Sequence, residues 1–206
     1  MSGRFITLEG GEGAGKSTQA RLLADALTGA GIPVLRTREP GGAPGAERLR
    51  SLLLDPAGDW SALAETLLHF AARAEHVQKT IRPALDSEMW VVCDRFYDST
   101  LAYQGYAQDA DTGEIRSLIQ MIGLVPDLTL VLDVPEGVAV QRLRGRGGVA
   151  DRYERKGAEF HARVNAGFRK IARAEPDRCV LIDAARDVGT VHKMIMDAVA
   201  RRGWGV

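Results

Sequence analysis

Cysteine is scarce in this 206-residue chain, which carries only Cys93 and Cys179. Two cysteines are too few for a disulfide framework or a cysteine-rich zinc site, so we interpret both as small buried hydrophobic residues. Aromatic residues make up 6% of the sequence, which predicts a mainly aliphatic core. Long apolar runs are also missing, since none approaches the ~20 residues of a membrane-spanning helix.

Neither sign of charge dominates, because 27 Lys and Arg balance 27 Asp and Glu. That balance argues against a protein that coats nucleic acid or an acidic membrane. The first residues hold too short an apolar stretch for a secretory signal. We therefore expect one domain over residues 1–206, in the cytoplasm, with no nucleic-acid or membrane partner.

Short apolar runs alternate with helical patterns along the chain. The runs end at Glu9, near Leu35, and at Asp94, Asp133 and Asp183. Strands that are apolar on both faces and separated by helices predict an α/β fold with a five-stranded parallel sheet flanked by helices. Ligands bind beyond the carboxyl ends of such strands, which is where these acids stand. We interpret Asp133 and Asp183 as caps of the following turns.

The strongest motif spans residues 10–18 and reads Gly10-Gly11-Glu12-Gly13-Ala14-Gly15-Lys16-Ser17-Thr18. It fits G-x-x-x-x-G-K-[ST] between a strand and a helix. The glycines let backbone N–H groups point inward, and the helix directs its positive dipole end at the same place. Lys16 is predicted to reach the β- and γ-phosphates of a nucleoside triphosphate, and Ser17 to bind Mg²⁺.

Two other nucleotide-binding classes are not indicated. A G-x-G-x-x-G dinucleotide fingerprint fails, because Lys16 stands where its last glycine would be. The N-K-x-D base-reading motif of GTPase switches is absent, since Asn165 is the one asparagine and alanine follows it. Residues 55–58 imitate a D-x-x-G switch element, but the leucines before them have helical spacing.

Asp94 and Arg95 stand together at the end of one predicted strand. Asp94 is placed to hold Mg²⁺ or its water, and Arg95 to clamp phosphate oxygens with two N–H groups. The plainer interpretation is a local salt bridge at a turn. Arg38, at the end of the second strand, adds a basic group to the same edge of the sheet.

Five arginines cluster with glycines between about residues 142 and 156: Arg142, Arg144, Arg146, Arg152 and Arg155. Flexible glycines and dense arginines predict a mobile lid that closes over phosphates, excludes water and supplies positive charge. The alternatives are a solvated basic helix end or a nucleic-acid contact.

Taken together, these residues resemble the thymidylate kinase (dTMP kinase) family in its bacterial form. The resemblance covers essentially the whole chain. It implies a P-loop nucleoside monophosphate kinase fold, ATP as phosphoryl donor, Mg²⁺, dTMP as acceptor and a homodimer. The implied reaction is direct in-line transfer that yields dTDP for dTTP synthesis. The motifs that carry the resemblance are residues 9–18, Arg38-Glu39-Pro40-Gly41-Gly42, Asp94-Arg95-Phe96 with Ser99, and Tyr103-Gln104-Gly105.

The resemblance also implies how dTMP is held. Arg38 and Arg95 would hold its phosphate, Phe70 would stack on thymine, and Arg73 would donate to a thymine carbonyl. From the pattern alone, Phe70 lies on an apolar stripe from Leu63 to Ile81 and is an ordinary core residue. The other implied dTMP contacts are Thr100 and Gln104 lining the base pocket, Ser99 beside the nucleotide, Tyr103 crowding the 2′ position, and Glu9 near the 3′-OH of the sugar and the metal.

Some positions depart from other members of the family. Gly11-Glu12 replaces the phosphate-loop arginine of one branch, so a lid arginine would supply that charge, with Arg152 as candidate and Arg146 as alternative. Glu12 would position the lid or the donor phosphates, or hydrogen-bond the loop. Ala43 stands where the family more often has threonine. The expected catalytic residues are thus Lys16, Arg95, Glu12 and Arg152, the expected metal ligands are Ser17, Asp94 and Glu9, and Arg142 joins residues 10–18 at ATP.

Two functional alternatives remain at this point. One is a kinase of the same fold for another nucleoside monophosphate, which Tyr103, Phe70 and Arg73 argue against. The other is an ATP-binding regulatory module without catalytic activity. The four histidines show no metal-ligand spacing, and we interpret them as surface or hydrogen-bonded residues.

Overall fold

A computed structural model describes residues 3–146 and 152–205 of the chain. Its five strands are β1 (Phe5–Glu9), β2 (Val34–Arg38), β3 (Trp90–Asp94), β4 (Leu128–Asp133) and β5 (Cys179–Asp183). They form one all-parallel sheet in the order β2-β3-β1-β4-β5, which confirms the predicted α/β fold. The three inner strands are almost wholly buried, because helices cover both faces and leave no side for polar residues.

Helices flank this sheet on both faces. One aliphatic cluster joins the first and last helices to the sheet, and a second, more aromatic cluster lies under the opposite layer. Within the described residues the helices are α1 (Lys16–Gly29), α2 (Pro44–Leu54), α3 (Ala62–His76), α4 (Arg82–Asp86), α5 (Tyr97–Thr100), α6 (Thr112–Ile122), α7 (Glu136–Arg146), α8 (Ala158–Ala174) and α9 (Val188–Ala200), with π-helical turns over Val77–Ile81 and Leu101–Ala107.

The strand register brings the carboxyl ends of three strands to one edge of the sheet. Leu8 lies beside Asp94, and Asp94 lies beside Arg38, so β1, β3 and β2 finish at the same edge. Farther along that edge, Asp133 pairs with Arg169. Asp183 accepts the Ala185 N–H at 3.0 Å, as a turn-capping aspartate does.

Helix α3 differs from the predicted apolar stripe. Leu63 and Leu67 are 53% and 49% exposed, whereas the buried face carries Glu65, Arg73 and His76. Those polar groups are buried because each finds a hydrogen-bond partner there, which offsets the loss of hydration. The α3 face toward the sheet is therefore part of a polar site and not only of a core.

The structure also bears on the D-x-x-G-like segment and on the two cysteines. Helix α2 ends at Leu54, directly before residues 55–58, so that segment follows a helix as its leucine spacing indicated. Both cysteines are free and buried, as predicted. Across residues 3–146 and 152–205, none of the helices has the length and apolarity that crossing a bilayer requires.

Candidate active site

The phosphate loop connects β1 to α1, and it has glycine at positions where a side chain would clash with neighbouring backbone. Gly10 and Gly13 have φ values of 136° and 72°. A β-carbon at Gly10 would lie 2.4 Å from the Leu132 carbonyl oxygen, and one at Gly13 would lie 2.6 Å from that of Ala139. The loop is thus packed against β4 and α7, and its other side opens to a cavity. Helix α1 begins at Lys16, so its unpaired N–H groups lie at this opening.

Lys16 is buried beneath this opening. Its Nζ donates a hydrogen bond to the Gly11 carbonyl oxygen at 2.7 Å. Burial, and then the nearby charge of Arg95, lower its pKa to about 8, although Glu12 and Asp94 act in the opposite direction. The lysine therefore lacks a full countercharge, and an arriving polyphosphate would supply one.

Ser17 and Asp94 form a pair of oxygen ligands beside the loop. The Ser17 hydroxyl donates to Asp94 Oδ2 at 2.5 Å, and both residues line the cavity. A hydroxyl and a carboxylate next to a phosphate loop are the donor set that Mg²⁺ takes when phosphates complete its shell. The residues present therefore fit a magnesium ion, which Ser17 and Asp94 would hold beside a bound phosphate.

Arg95 joins the phosphate loop to the helix that follows β3. One Nη donates to the Gly10 carbonyl oxygen at 2.9 Å and to Ser99 Oγ at 3.1 Å, and the other donates to Glu12 at 2.6 Å and Tyr103 Oη at 3.0 Å. Its φ of 71° is uncommon for a residue with a side chain and is typical of functional sites. Burial opposes the charge of Arg95, but the neighbouring acids, Glu12 first, raise its pKa.

Glu12 remains ionised in this setting. Burial alone would raise its pKa, yet the charges of Arg95 and Lys16 and a hydrogen bond from Tyr103 at 2.8 Å lower that pKa to about 2. Glu12 thereby forms an ion pair with Arg95, the residue that the sequence predicts to bind a phosphate. A nucleotide phosphate that bound Arg95 would have to share it with Glu12 or displace the carboxylate.

Glu9 lies below the floor of the cavity. It is fully buried, and its two oxygens accept hydrogen bonds from the N–H and hydroxyl of Ser99 and from the Phe96 N–H. Burial, with the charge of Asp98, raises its pKa to about 8. This geometry makes Glu9 a support for the turn after β3. Its predicted place near the sugar 3′-OH and the metal stays a prediction.

The predicted base pocket gathers around Arg73. This arginine is 2% exposed, lines the cavity, and donates to Thr100 Oγ1 at 3.2 Å. Its guanidinium carbon lies 4.7 Å above the ring centroid of Phe70. Phe70 itself is buried in the aromatic core beneath Arg73, so its predicted stacking on thymine stays a prediction. Gln104, also at the cavity, donates to Glu65 at 2.6 Å.

Two further predicted cations lie at opposite ends of the cavity. Arg38 is exposed at the end of β2 and pairs with Glu47 at 3.2 Å. Arg142, on α7, donates to the Arg186 carbonyl oxygen at 3.2 Å and faces the wall made by α9 and its preceding turn. The first end is suited to an acceptor phosphate and the second to the outer part of a donor nucleotide.

Arg152 and Tyr153, which belong to the segment predicted to be a lid, pack against α3. Arg152 pairs with Glu65, which is fully buried, and Tyr153 Oη lies 2.9 Å from the same carboxylate. Tyr153 also lies 2.8 Å from His69 Nε2. Arg152 thus faces a carboxylate here, and its predicted action on a transferring phosphate stays a prediction. The side chain of Arg146, the alternative, lies outside the described residues.

One cavity of about 630 Å³ connects these groups. It runs from the phosphate loop to the base pocket on one side and to α7 and α9 on the other. Among the predicted site residues, those that line it are Glu12, Gly13, Ala14, Gly15, Lys16, Ser17, Thr18, Arg38, Arg73, Asp94, Arg95, Ser99, Thr100, Tyr103, Gln104 and Arg142. Those behind its surface are Glu9, Gly10, Gly11, Phe70 and Arg152.

Sequence reasoning assigned no role to four polar residues of this region: Glu39, Glu65 and His76, which are buried, and His69, which is partly buried. In the sequence, Glu39 is distinguished only by its place in the Arg-Glu-Pro-Gly-Gly motif. Glu65, His69 and His76 lie on α3 at spacings of four and seven, which is one helix face. That periodicity of polar residues is the signal that could have found them.

The geometry defines a class of protein: a P-loop kinase whose phosphate loop faces an arginine-lined site for a nucleoside monophosphate. The sequence model of the thymidylate kinase family matches residues 8–195. The chain is 53% identical to the thymidylate kinase of Caulobacter vibrioides over 203 residues, which cover 97% of each chain. The chain belongs to the thymidylate kinase family, the phosphotransferases that convert dTMP to dTDP for dTTP synthesis.

Other relatives agree with this placement. The thymidylate kinase of Gluconobacter oxydans is 52% identical over 201 residues, with 96% of this chain and 94% of that one covered. A crystal structure of thymidylate kinase from Ehrlichia chaffeensis superposes with a TM-score of 0.79 at 36% identity, over 97% of this chain and 99% of that one. The resemblance drawn from the motifs is thus confirmed, along with the fold.

Proposed function

We propose that this chain carries out its family's reaction by binding ATP and dTMP end to end in the 630 Å³ cavity. The γ-phosphoryl group of ATP passes directly to a dTMP phosphate oxygen. That oxygen is already ionised at pH 7, so the step needs no strong general base and no covalent enzyme intermediate. Positioning and charge neutralisation supply most of the rate enhancement.

A single observation supports this proposal most strongly: the position of Arg95. It contacts Gly10 and Glu12 of the phosphate loop and also Ser99 and Tyr103 of the acceptor side. A cation at that junction is placed to neutralise charge that builds up between two nucleotides. Lys16 would act from the donor side.

The metal and the remaining contacts follow from the same arrangement. Ser17 and Asp94 would hold Mg²⁺, which when bound neutralises phosphate charge. Arg38 would hold the dTMP phosphate, and Arg73, Thr100 and Gln104 would surround the base. Tyr103 would restrict the 2′ position, and Arg142 would contact ATP. As the lid closes, Arg152 would exchange Glu65 for a nucleotide phosphate, and Glu12 would release Arg95 to the phosphates and position the lid.

A substrate panel tests this proposal. In a coupled assay of ADP release, dTMP should give a higher kcat/KM than AMP, GMP, CMP or UMP. Arg95→Ala should abolish turnover and leave ATP binding nearly unchanged, whereas Arg21→Ala, an exposed arginine on α1, should change neither. Comparable turnover with a ribonucleotide would favour the kinase alternative. ATP binding without transfer to any monophosphate would favour the regulatory module.

We further propose that the protein forms a homodimer and acts in the cytoplasm. The support for self-association is the presence of three exposed, large apolar side chains on two helices, α3 and α6, that contact each other. Leu63 and Leu67 on α3 and Met121 on α6 are 53%, 49% and 80% exposed. Large apolar side chains clustered on a surface are typical of an interaction face.

A further inference from the structure

We propose that Glu39, His76 and Thr37 are positioning residues that hold Arg73 for reading a 4-carbonyl group on the acceptor base. This inference rests on the proposed function, in which Arg73 faces that base. The four side chains form a continuous chain of hydrogen bonds, which we name the Arg73 support.

Glu39 fixes one side of the guanidinium. Arg73 Nε donates to Glu39 Oε2 at 2.7 Å, and the two side chains are 2% and 3% exposed. Nη1 donates to Thr100, and the rings of Phe70 and Phe96 lie 4.7 and 5.3 Å from the guanidinium carbon. Among the described residues, Nη2 has no hydrogen-bond partner, although Arg73 lines the cavity. The group is therefore held on its protein side with donors left for a ligand.

His76 fixes Glu39 in turn. Its ring is fully buried, with Nδ1 3.0 Å from Glu39 Oε1 and Nε2 2.8 Å from Thr37 Oγ1. A neutral imidazole satisfies both contacts in one tautomer: Nδ1–H donates to the carboxylate, and Nε2 accepts from the threonine hydroxyl. Each oxygen of Glu39 then has its own donor. The carboxylate cannot rotate without breaking a buried hydrogen bond, so Arg73 keeps its orientation.

Gly42 of the Arg-Glu-Pro-Gly-Gly motif leaves space for this chain. A β-carbon at Gly42 would lie 2.3 Å from His76 Nε2 and 2.6 Å from Thr37 Oγ1. The motif thus contributes both an acid, Glu39, and the gap through which Thr37 reaches His76. This packing gives the motif a function beyond the phosphate contact of Arg38.

A fixed arginine selects one class of base. Guanidinium has only donors, so it matches the 4-carbonyl of thymine or uracil and leaves donors facing donors with the 4-amino group of cytosine. The penalty for the wrong base persists only if the arginine cannot turn away. The Arg73 support should therefore raise the discrimination between 4-oxo and 4-amino pyrimidine nucleotides.

Thr37→Val provides a mild test, because it removes the hydroxyl and keeps the shape of the side chain. The readout is the ratio of Kd values for dCMP and dTMP from titration calorimetry, with kcat and the KM for ATP beside it. That ratio should fall about fivefold to tenfold in Thr37→Val and in His76→Leu. The kcat and the KM for ATP should stay within about twofold, since neither residue lies on the donor side.

The controls separate positioning from stability. Thr37→Ser keeps the hydroxyl and should restore the ratio. Thr66→Val removes a buried hydroxyl of α3 that donates to the Ala62 carbonyl oxygen, and it should leave the ratio unchanged. A lower Tm with an unchanged ratio in Thr37→Val and His76→Leu would overturn the inference. Arg73→Gln separates the role of Arg73 at the base from the role of the residues that support it. If Arg73→Gln lowers the ratio while Thr37→Val and His76→Leu do not, only the support role fails. If Arg73→Gln leaves the ratio unchanged, the assignment of Arg73 to the base fails as well.

Discussion

At the scale of single residues, the site holds buried charges that partly neutralise one another. Arg95 is paired with Glu12, whereas among residues 3–146 and 152–205 the hydrogen-bond partner of Lys16 is a carbonyl oxygen, that of Gly11. The lowered pKa of Lys16, about 8, reflects that difference. The lysine is thus the cation with most to gain from a bound phosphate.

Lys16→Ala should therefore lower kcat by about 10²- to 10³-fold, because one preorganised charged contact contributes about that factor in a transition state. Steady-state kinetics with saturating dTMP and ATP would measure the loss. Lys193→Ala, which removes an exposed lysine of α9, should leave kcat unchanged. A Lys16→Ala enzyme within tenfold of the wild type would contradict the role given to this lysine.

Motif residues of the site could be predicted from sequence, but the partners of the supporting side chains could not. Lys16 and Ser17 follow from a spacing that forces them to one point, and Arg95 from its place at a strand end. Glu39 and Glu65 lie far along the chain from the groups they bind, and tertiary packing alone brings them there. The ion pair of Arg152 with Glu65 had no local signal for the same reason.

At the scale of elements, α3 connects the predicted lid to the predicted base pocket. Its residue Glu65 accepts hydrogen bonds from Gln104 and from Tyr153 of the lid, and His69, one turn on, also contacts Tyr153. Burial, with the charges of Arg73 and other arginines, lowers the pKa of His69 to about 3. The folded protein therefore keeps His69 neutral at a pH where an unfolded chain would protonate it.

This difference predicts an acid sensitivity. As the pH falls from 6.5 toward 3, the unfolded state binds the His69 proton first, so the native state loses stability. His69→Gln removes this contribution while keeping a polar group beside Tyr153. Thermal unfolding at pH 7.5 and pH 5 should show a smaller drop in Tm for the variant than for the wild type. His192→Gln, on α9, controls for the loss of a histidine; an equal drop in all three proteins would contradict the prediction.

The strands were predictable because a strand that is buried on both faces accepts mainly aliphatic residues, so it is a continuous apolar run in the sequence. β1, β3 and β4 each end at the acid that the sequence indicated. The apolar stripe that begins on α3 was predicted wrongly at Leu63 and Leu67, which the fold leaves exposed. Its later members Phe70, Val77 and Ile81 are buried. The π-helical turns after α3 and α5 have no sequence signal comparable to a cap or a breaker.

At the scale of the whole molecule, the exposed leucines of α3 lead to a prediction about mass. Light scattering after size exclusion should give about twice the 22.3 kDa of one chain. Leu67→Glu should shift the protein toward the monomer, because a charge in an apolar interface is costly to bury. Leu181→Glu, at a similarly exposed position on β5, should leave the mass unchanged. A wild-type mass of one chain at micromolar concentration would contradict the homodimer.

The order of the sheet also bears on how the polypeptide is made. β1 is synthesised first, yet it lies in the middle, between β3 (Trp90–Asp94) and β4 (Leu128–Asp133). A ribosome must therefore add more than half of the chain before both neighbours of β1 exist. Until then its aliphatic residues and open backbone edges are available to other nascent chains, the condition in which aggregation competes with folding.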